Sequence, residues 1–343
     1  MSQFLIGLSR DLLDASGAPT FGREALHVAD NDPAVQWEFF PEPAKEIAPA
    51  HLARYDALYV NTPPVTRASF AEGPGRTRII ARHGVGYDSV DVAACTEHGV
   101  PLTIQPDGVR RPVAVAALTF ILALSQKLLI KDRLTRAGRW GEKVDHMGIG
   151  LVGRTLGLVG AGNIGREIMR LARPFGLDIL AADPNIDEAT VAAEGARLVD
   201  LPTVMRESDF VVVVCLLTPQ THHLLGAAQI ALMKPTSYLI NVARGPIVDE
   251  LALIEALRAH RIAGAGLDVF DREPIDPANP LLTMETVIVT PHALCWTDEC
   301  FRGIAESGLR SLIAAAHGRR PRNIVNPEVL AHPRVAAWLT QKD

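Results

Sequence analysis

The run Gly160-Ala161-Gly162-Asn163-Ile164-Gly165 has the spacing of a turn that can hold a dinucleotide. In such a turn Gly160 permits the tight bend and Gly162 lets the main chain approach a pyrophosphate. Gly165 lets the next helix pack closely on the preceding strand. The N–H groups near Asn163 and Ile164 then face the phosphates. Asp183 stands at about the 20-residue separation expected for a carboxylate that accepts hydrogen bonds from a ribose 2′-hydroxyl. It would repel a 2′-phosphate, and neither Pro184 nor Asn185 can neutralise one, so NAD is favoured over NADP. Taken alone, the glycine pattern also fits a turn without a ligand. Here a strand-like run, 156–159, precedes it, and a helix-like run, 164–175, follows and ends at Gly176.

Three charged or titratable side chains stand out by position. Arg244 follows the strand-like run 237–241, Glu273 follows 263–267 and His292 follows 287–290. In open α/β sheets ligands bind beyond the carboxyl ends of the strands, and all three fall there. Singly, each has a structural alternative. The histidine can cap its loop, the arginine can form an internal ion pair, and the glutamate before Pro274 can be a solvated turn residue.

The elements that must position these residues alternate regularly. Strands are predicted at 156–159, 179–182, 210–216, 237–241, 263–267 and 287–290, with helices at 164–175, 227–233 and 249–260. This spacing argues for a parallel, doubly wound sheet. The first hundred residues show the same α/β character. Strands are predicted at 4–8, 57–61, 78–81 and 100–104, and helices at 42–55 and 90–98. Pro112 is expected to open one long helix that runs to about Ala137 and stops at Gly138. Its apolar first half suits burial in a core or against a second subunit.

Several ordered motifs together make the sequence similar to the D-isomer-specific 2-hydroxyacid dehydrogenase family. They are His83-Gly84-Val85-Gly86-Tyr87-Asp88 with Val90-Asp91, the glycine turn, Thr218-Pro219, Met233-Lys234-Pro235, and the segments carrying Arg244, Glu273 and His292. Asn323-Ile324-Val325-Asn326-Pro327 ends the series. The resemblance implies two Rossmann-like, doubly wound parallel-sheet α/β domains, the smaller one discontinuous. Residues 105–297 would form the NAD-binding domain, and residues 1–104 with 298–343 the substrate domain.

The resemblance also implies roles. His292 would exchange a proton with the substrate oxygen at C2, and Glu273 would fix its tautomer. Arg244 would grip the substrate carboxylate with its planar donors, helped by the N–H groups of Val85 and Gly86. Asp268 would orient the nicotinamide, and Leu216, Thr221 and Val242 would lie near the cofactor. Closure of the two domains would exclude water. The reaction implied is hydride transfer between nicotinamide and C2 of a small D-2-hydroxy acid or 2-keto acid, of the hydroxypyruvate or glyoxylate reductase kind. A D-3-phosphoglycerate dehydrogenase is the alternative within the family, and an NAD(H)-sensing, corepressor-type binding protein is the alternative outside catalysis. A homodimer through the NAD domains is the family expectation.

Val115 and Ala116 occupy places where the family carries an acidic residue, often Glu-His, on the long helix. Just before them, Arg110 and Arg111 are candidates to bind a second anionic group on the substrate. A surface or interface arginine pair is the competing reading. Trp296 can wall the substrate pocket or simply pack.

The bulk composition sets limits. Net charge is −5 and no basic run occurs, which argues against nucleic acid as a partner. The chain opens without a signal-peptide pattern. Its longest apolar stretch, 113–124, is too short to span a bilayer, so no membrane partner is expected. Four cysteines, Cys95, Cys215, Cys295 and Cys300, show no metal or redox spacing. They read as reduced thiols in a cytoplasmic protein with no metal site.

Overall fold

The computed structural model describes residues 3–340. Its strands in chain order are β1 Phe4–Leu8, β2 Val35–Phe39, β3 Ala57–Val60, β4 Ile79–Arg82, β5 Leu102–Thr103, β6 Thr155–Val159, β7 Asp178–Ala182, β8 Arg197–Leu198, β9 Phe210–Val213, β10 Tyr238–Asn241, β11 Gly264–Leu267 and β12 Val287–Val289. The helices used below are α1 Pro106–Ser125, α2 Leu128–Arg136, α3 Asn163–Ala172, α4 Glu250–Arg258 and α5 Asp298–Ala316.

The chain divides into two compact units. One takes in the residues up to Val109 and those from Trp296 onward, and the other is Arg110–Cys295. The first unit holds a five-stranded sheet in the order β2-β1-β3-β4-β5. The second holds a seven-stranded sheet in the order β12-β11-β10-β9-β6-β7-β8. Every pairing between these strands is parallel. Both orders reverse direction once, as doubly wound sheets do. The central strands are wholly buried, as β3 (Ala-Leu-Tyr-Val) and β9 (Phe-Val-Val-Val) illustrate. Continuous apolar strands are what a sheet covered on both faces requires.

The long helix departs from expectation. It begins at Pro106, not Pro112, and it ends at Ser125. Pro112 inside it forfeits only the bond its nitrogen would give the carbonyl four residues back. Burial carries the helix past that point, because Ala114, Ala117, Leu118, Ile121 and Leu124 recur at helical spacing and pack into one core. At the other end, the Ser125 carbonyl accepts from Ile149 N–H at 2.8 Å instead of continuing the helical ladder. Lys127 turns left-handed with φ 50° before α2 starts. By length and composition α1 can cross a membrane, yet its apolar face is spent on the protein core.

Two other differences have local causes. The helix expected at 42–55 is only Pro49–Arg54, since Pro41 and Pro43 interrupt the preceding stretch. The edge strands β2 and β8 escape sequence reading, being half-exposed and two residues long respectively.

Candidate active site

Parallel pairing puts all the carboxyl ends of the seven strands on one edge. Gly160 follows β6, Asp183 follows β7, Leu216 lies beyond β9, Arg244 follows β10, Asp268 and Glu273 follow β11, and His292 follows β12.

The glycine turn fits a pyrophosphate. Gly160 has φ 110°, and a side chain there would press on the Cys215 main chain at 2.8 Å. A side chain at Gly165 would stand 2.5 Å from the Gly160 carbonyl. Gly162, by contrast, caps α3 and has nothing within 4 Å of where a Cβ would stand. The N–H groups of Asn163 and Ile164 open α3 at that point, so the main chain there is both donor-rich and open. Asp183 accepts from Ala161 N–H at 2.8 Å with one oxygen and from Asn185 N–H at 2.9 Å with the other. It thereby ties the glycine turn to the end of β7. Thr221 holds the neighbouring loop by donating to the Leu216 carbonyl at 2.5 Å, leaving the Leu216 side chain exposed. Val242 is half-buried at the end of β10. Asp183→Ala is expected to weaken NADH binding about 10- to 100-fold, the value of a hydrogen bond to a charged group, while NADPH binding weakens less. Fluorescence titration with both nucleotides checks this, and equal losses would remove Asp183 from the ribose.

His292 and Glu273 meet directly, with Nδ1 and Oε2 2.7 Å apart. The other Glu273 oxygen accepts from Phe270 N–H at 3.0 Å. Burial raises the Glu273 pKa, but the His292 hydrogen bond and charge, the Phe270 N–H and the Arg244 charge together hold it below its ordinary value. The carboxylate therefore stays charged through neutral pH and is protonated only as pH falls through that depressed value. Glu273→Gln is expected to lower kcat/KM for keto-acid reduction about 10- to 100-fold and to remove the acid limb that protonation of Glu273 sets. A pH profile that keeps that limb would sink the tie between this pair and the proton.

Arg244 leaves β10 in extended conformation and caps the short helix Gly245–Ile247. Asn241 brackets it, with Oδ1 accepting from Ala243 N–H at 3.0 Å and Nδ2 donating to the Arg244 carbonyl at 2.9 Å. Gly245 sits flush against the Phe270 main chain, so no side chain fits there and the Arg244 and Glu273 loops are packed together.

Two of these supports were not anticipated. Asp268 is buried, and one of its oxygens accepts from Thr290 Oγ1 at 2.5 Å, Ala293 N–H at 3.0 Å and Leu294 N–H at 3.1 Å. It thus clamps the loop in which His292 takes the left-handed φ of 53°. Asn241 is the second. The available signal was a polar residue closing an otherwise apolar strand, which asks for main-chain partners.

Arg110 and Arg111 both pair with the buried Glu167 of α3, at 3.8 and 3.1 Å. Arg170 reaches the same carboxylate at 3.2 Å. Both arginines thus have an internal ionic partner on α3 that the sequence did not indicate. Val85 and Gly86 are half-buried and belong to the first unit, as does Trp296, which meets Phe301 edge-on. Among the described residues no cluster of His, Cys, Asp or Glu has the makings of a metal site.

Comparison with known proteins bears on the family and the fold. The NAD binding domain of the D-isomer specific 2-hydroxyacid dehydrogenases matches residues 118–293. A glyoxylate reductase of Korarchaeum cryptofilum is 37% identical over 86% of this chain and 90% of its own. A D-3-phosphoglycerate dehydrogenase of Archaeoglobus fulgidus is 34% identical over 80% of this chain but only 52% of its own. The crystal structure of a glyoxylate reductase from Paecilomyes thermophila superposes with a TM-score of 0.82 at 28% identity, covering 96% of this chain and 99% of that one. The chain belongs to the D-isomer-specific 2-hydroxyacid dehydrogenases, NAD-dependent oxidoreductases acting on small 2-hydroxy or 2-keto acids.

Proposed function

We propose that the protein reduces a small monoanionic 2-keto acid, of glyoxylate or hydroxypyruvate size, to the D-2-hydroxy acid. The observation that carries this reading is the 2.7 Å contact of His292 with Glu273, with the Arg244 charge acting on the same carboxylate. NADH, when bound, supplies the hydride that C2 accepts. Arg244 grips the substrate carboxylate and polarises the C2 oxygen, and the N–H groups of Val85 and Gly86 also bind the carboxylate. Protonated His292 gives its proton to that oxygen as negative charge builds there. Glu273 stabilises the imidazolium before transfer and keeps Nδ1 engaged, which leaves Nε2 for the substrate. Oxidation of the hydroxy acid uses the same groups in reverse, with neutral His292 as base.

The glyoxylate reductase relatives and the engagement of Arg110 and Arg111 by Glu167 favour a monoanion over a phosphorylated acid. Steady-state kcat/KM with NADH over glyoxylate, hydroxypyruvate and phosphohydroxypyruvate tests this. Preference for phosphohydroxypyruvate would point instead to the 3-phosphoglycerate dehydrogenase reading. We also infer that a second copy of the chain covers the exposed apolar stretch of Trp140, Val144, Met147 and Val152 in the NAD unit. Sedimentation showing a monomer at micromolar concentration would contradict that. The cysteines are present as thiols, which fits a reducing cytoplasm. A disulfide found in protein isolated under thiol-blocking conditions would argue against it.

A further inference from the structure

The first unit buries a polar group that the reaction as described does not use. Tyr59 and Ala81 are register partners in the sheet, and so are Ala81 and Thr103. His83 and Gln105 stand two residues beyond Ala81 and Thr103. All five residues therefore share one face of the sheet. Helix α5 covers that face. Gly308 lies flush against the Tyr59 ring, and Ser307 Oγ donates to Gln105 Oε1 at 2.8 Å.

Tyr59 Oη and His83 Nδ1 are 2.6 Å apart, and both residues are buried. Burial pushes the Tyr59 hydroxyl well above its ordinary pKa. Burial and the neighbouring Arg82 charge push His83 down to about 3. The phenol therefore keeps its proton and donates it to Nδ1, and the neutral ring carries its own proton on Nε2. That Nε2, the Thr103 hydroxyl and the Gln105 amide nitrogen are buried without a partner among the described residues. Three such atoms on one face are the setting of ordered internal water.

The main chain at this point is also fixed. His83 N–H donates to the Val60 carbonyl at 2.7 Å, and the His83 carbonyl accepts from the Arg82 guanidinium. The Gly84 carbonyl accepts from Gln105 N–H at 2.8 Å. Gly84 has φ 115°, a conformation a side chain would strain. Both peptide units beside Gly84 are thus held, and the next two residues are Val85 and Gly86. An apolar pair can fill the volume of Tyr59 and His83. A directional hydrogen bond adds a fixed ring orientation, and with it a fixed path for the chain that follows.

We propose that His83, clamped by Tyr59, is the positioning residue of the substrate-carboxylate loop, setting the direction in which the Val85 and Gly86 N–H groups point. This rests on the reading that those N–H groups hold the carboxylate. Its kinetic signature is a change in substrate binding without a change in the chemical step or in nucleotide binding.

Tyr59→Phe and His83→Leu are each expected to raise KM for the keto acid about five- to tenfold, the value of one hydrogen bond in a preorganised site. We expect kcat and the NADH Kd to stay within about twofold. The double variant should be no worse than either single one, since both remove the same bond. His83→Asn, which keeps a polar partner for the phenol, should recover most of the affinity. A purely structural pair would lower Tm and leave KM in place. Folded Tyr59→Phe with KM unchanged, or with the NADH Kd shifted as much as KM, overturns the proposal. The underlying reading has its own readout, hydrogen exchange of the peptide over residues 83–88 in the wild type with NADH and oxamate. Failure of oxamate to protect that peptide would sink the carboxylate role itself. Protection without a KM effect in the variants would sink only the role of His83.

Discussion

His292→Gln should lower kcat for keto-acid reduction by about 10²- to 10⁴-fold, the usual worth of a positioned general acid, and leave the NADH Kd within about twofold. Glutamine approximates the reach of the ring and can still hydrogen-bond Glu273, so the loop keeps its anchor. What it lacks is a proton it can release near neutral pH. The loop is built to hold this residue in a conformation it would not choose. A left-handed backbone costs a non-glycine residue about 1–2 kcal/mol. The bonds from Thr290, Ala293 and Leu294 to Asp268 are positioned to offset that cost. Single-turnover measurement with saturating NADH separates the chemical step from product release. A variant that keeps more than a tenth of wild-type kcat would mean that the proton comes from elsewhere.

Arg244→Ala should lower kcat/KM by about 10²- to 10⁴-fold. This is the loss of two charge-assisted hydrogen bonds, each worth about 1.5–3 kcal/mol, partly replaced by water. Arg244→Lys should restore only a small part, because an ammonium cannot make the parallel pair that a carboxylate accepts. The expected split is informative. If Arg244 both binds the carboxylate and polarises the C2 oxygen, KM rises and kcat falls together. A rise in KM alone would confine it to binding. Because the guanidinium charge also helps keep Glu273 ionised, the acid limit of activity is expected to move to higher pH in Arg244→Ala than in the wild type.

Much of this was readable from the chain. The glycine turn, Asp183 and the strand ends carrying Arg244, Glu273 and His292 follow from strand–turn–helix order. Parallel strands then put those ends on one edge without further information. Spacing could not reveal what holds the side chains. Asp268 looked like a cofactor residue, and in the structure its carboxylate is engaged by the His292 loop. That engagement spans more than 20 residues of sequence and no local pattern marks it. Arg110 and Arg111 drew attention as unusual charges, but their partner Glu167 sits on another helix, where it reads as an ordinary surface position. The break after Ser125 was hidden for the same reason, since a main-chain donor from Ile149 causes it. Tyr59 lies in a run that reads as plain strand and His83 opens a loop motif, and only the fold pairs them.

The most direct test is NADH oxidation by the wild-type protein with hydroxypyruvate or glyoxylate, set against hydroxyacetone, which keeps the ketone but lacks the carboxylate. The account predicts steady turnover with the acids and at least a hundredfold loss, on the order of the Arg244 contribution, with the ketone. A protein that binds NADH tightly and oxidises it with no 2-keto acid, or reduces hydroxyacetone equally well, would contradict it.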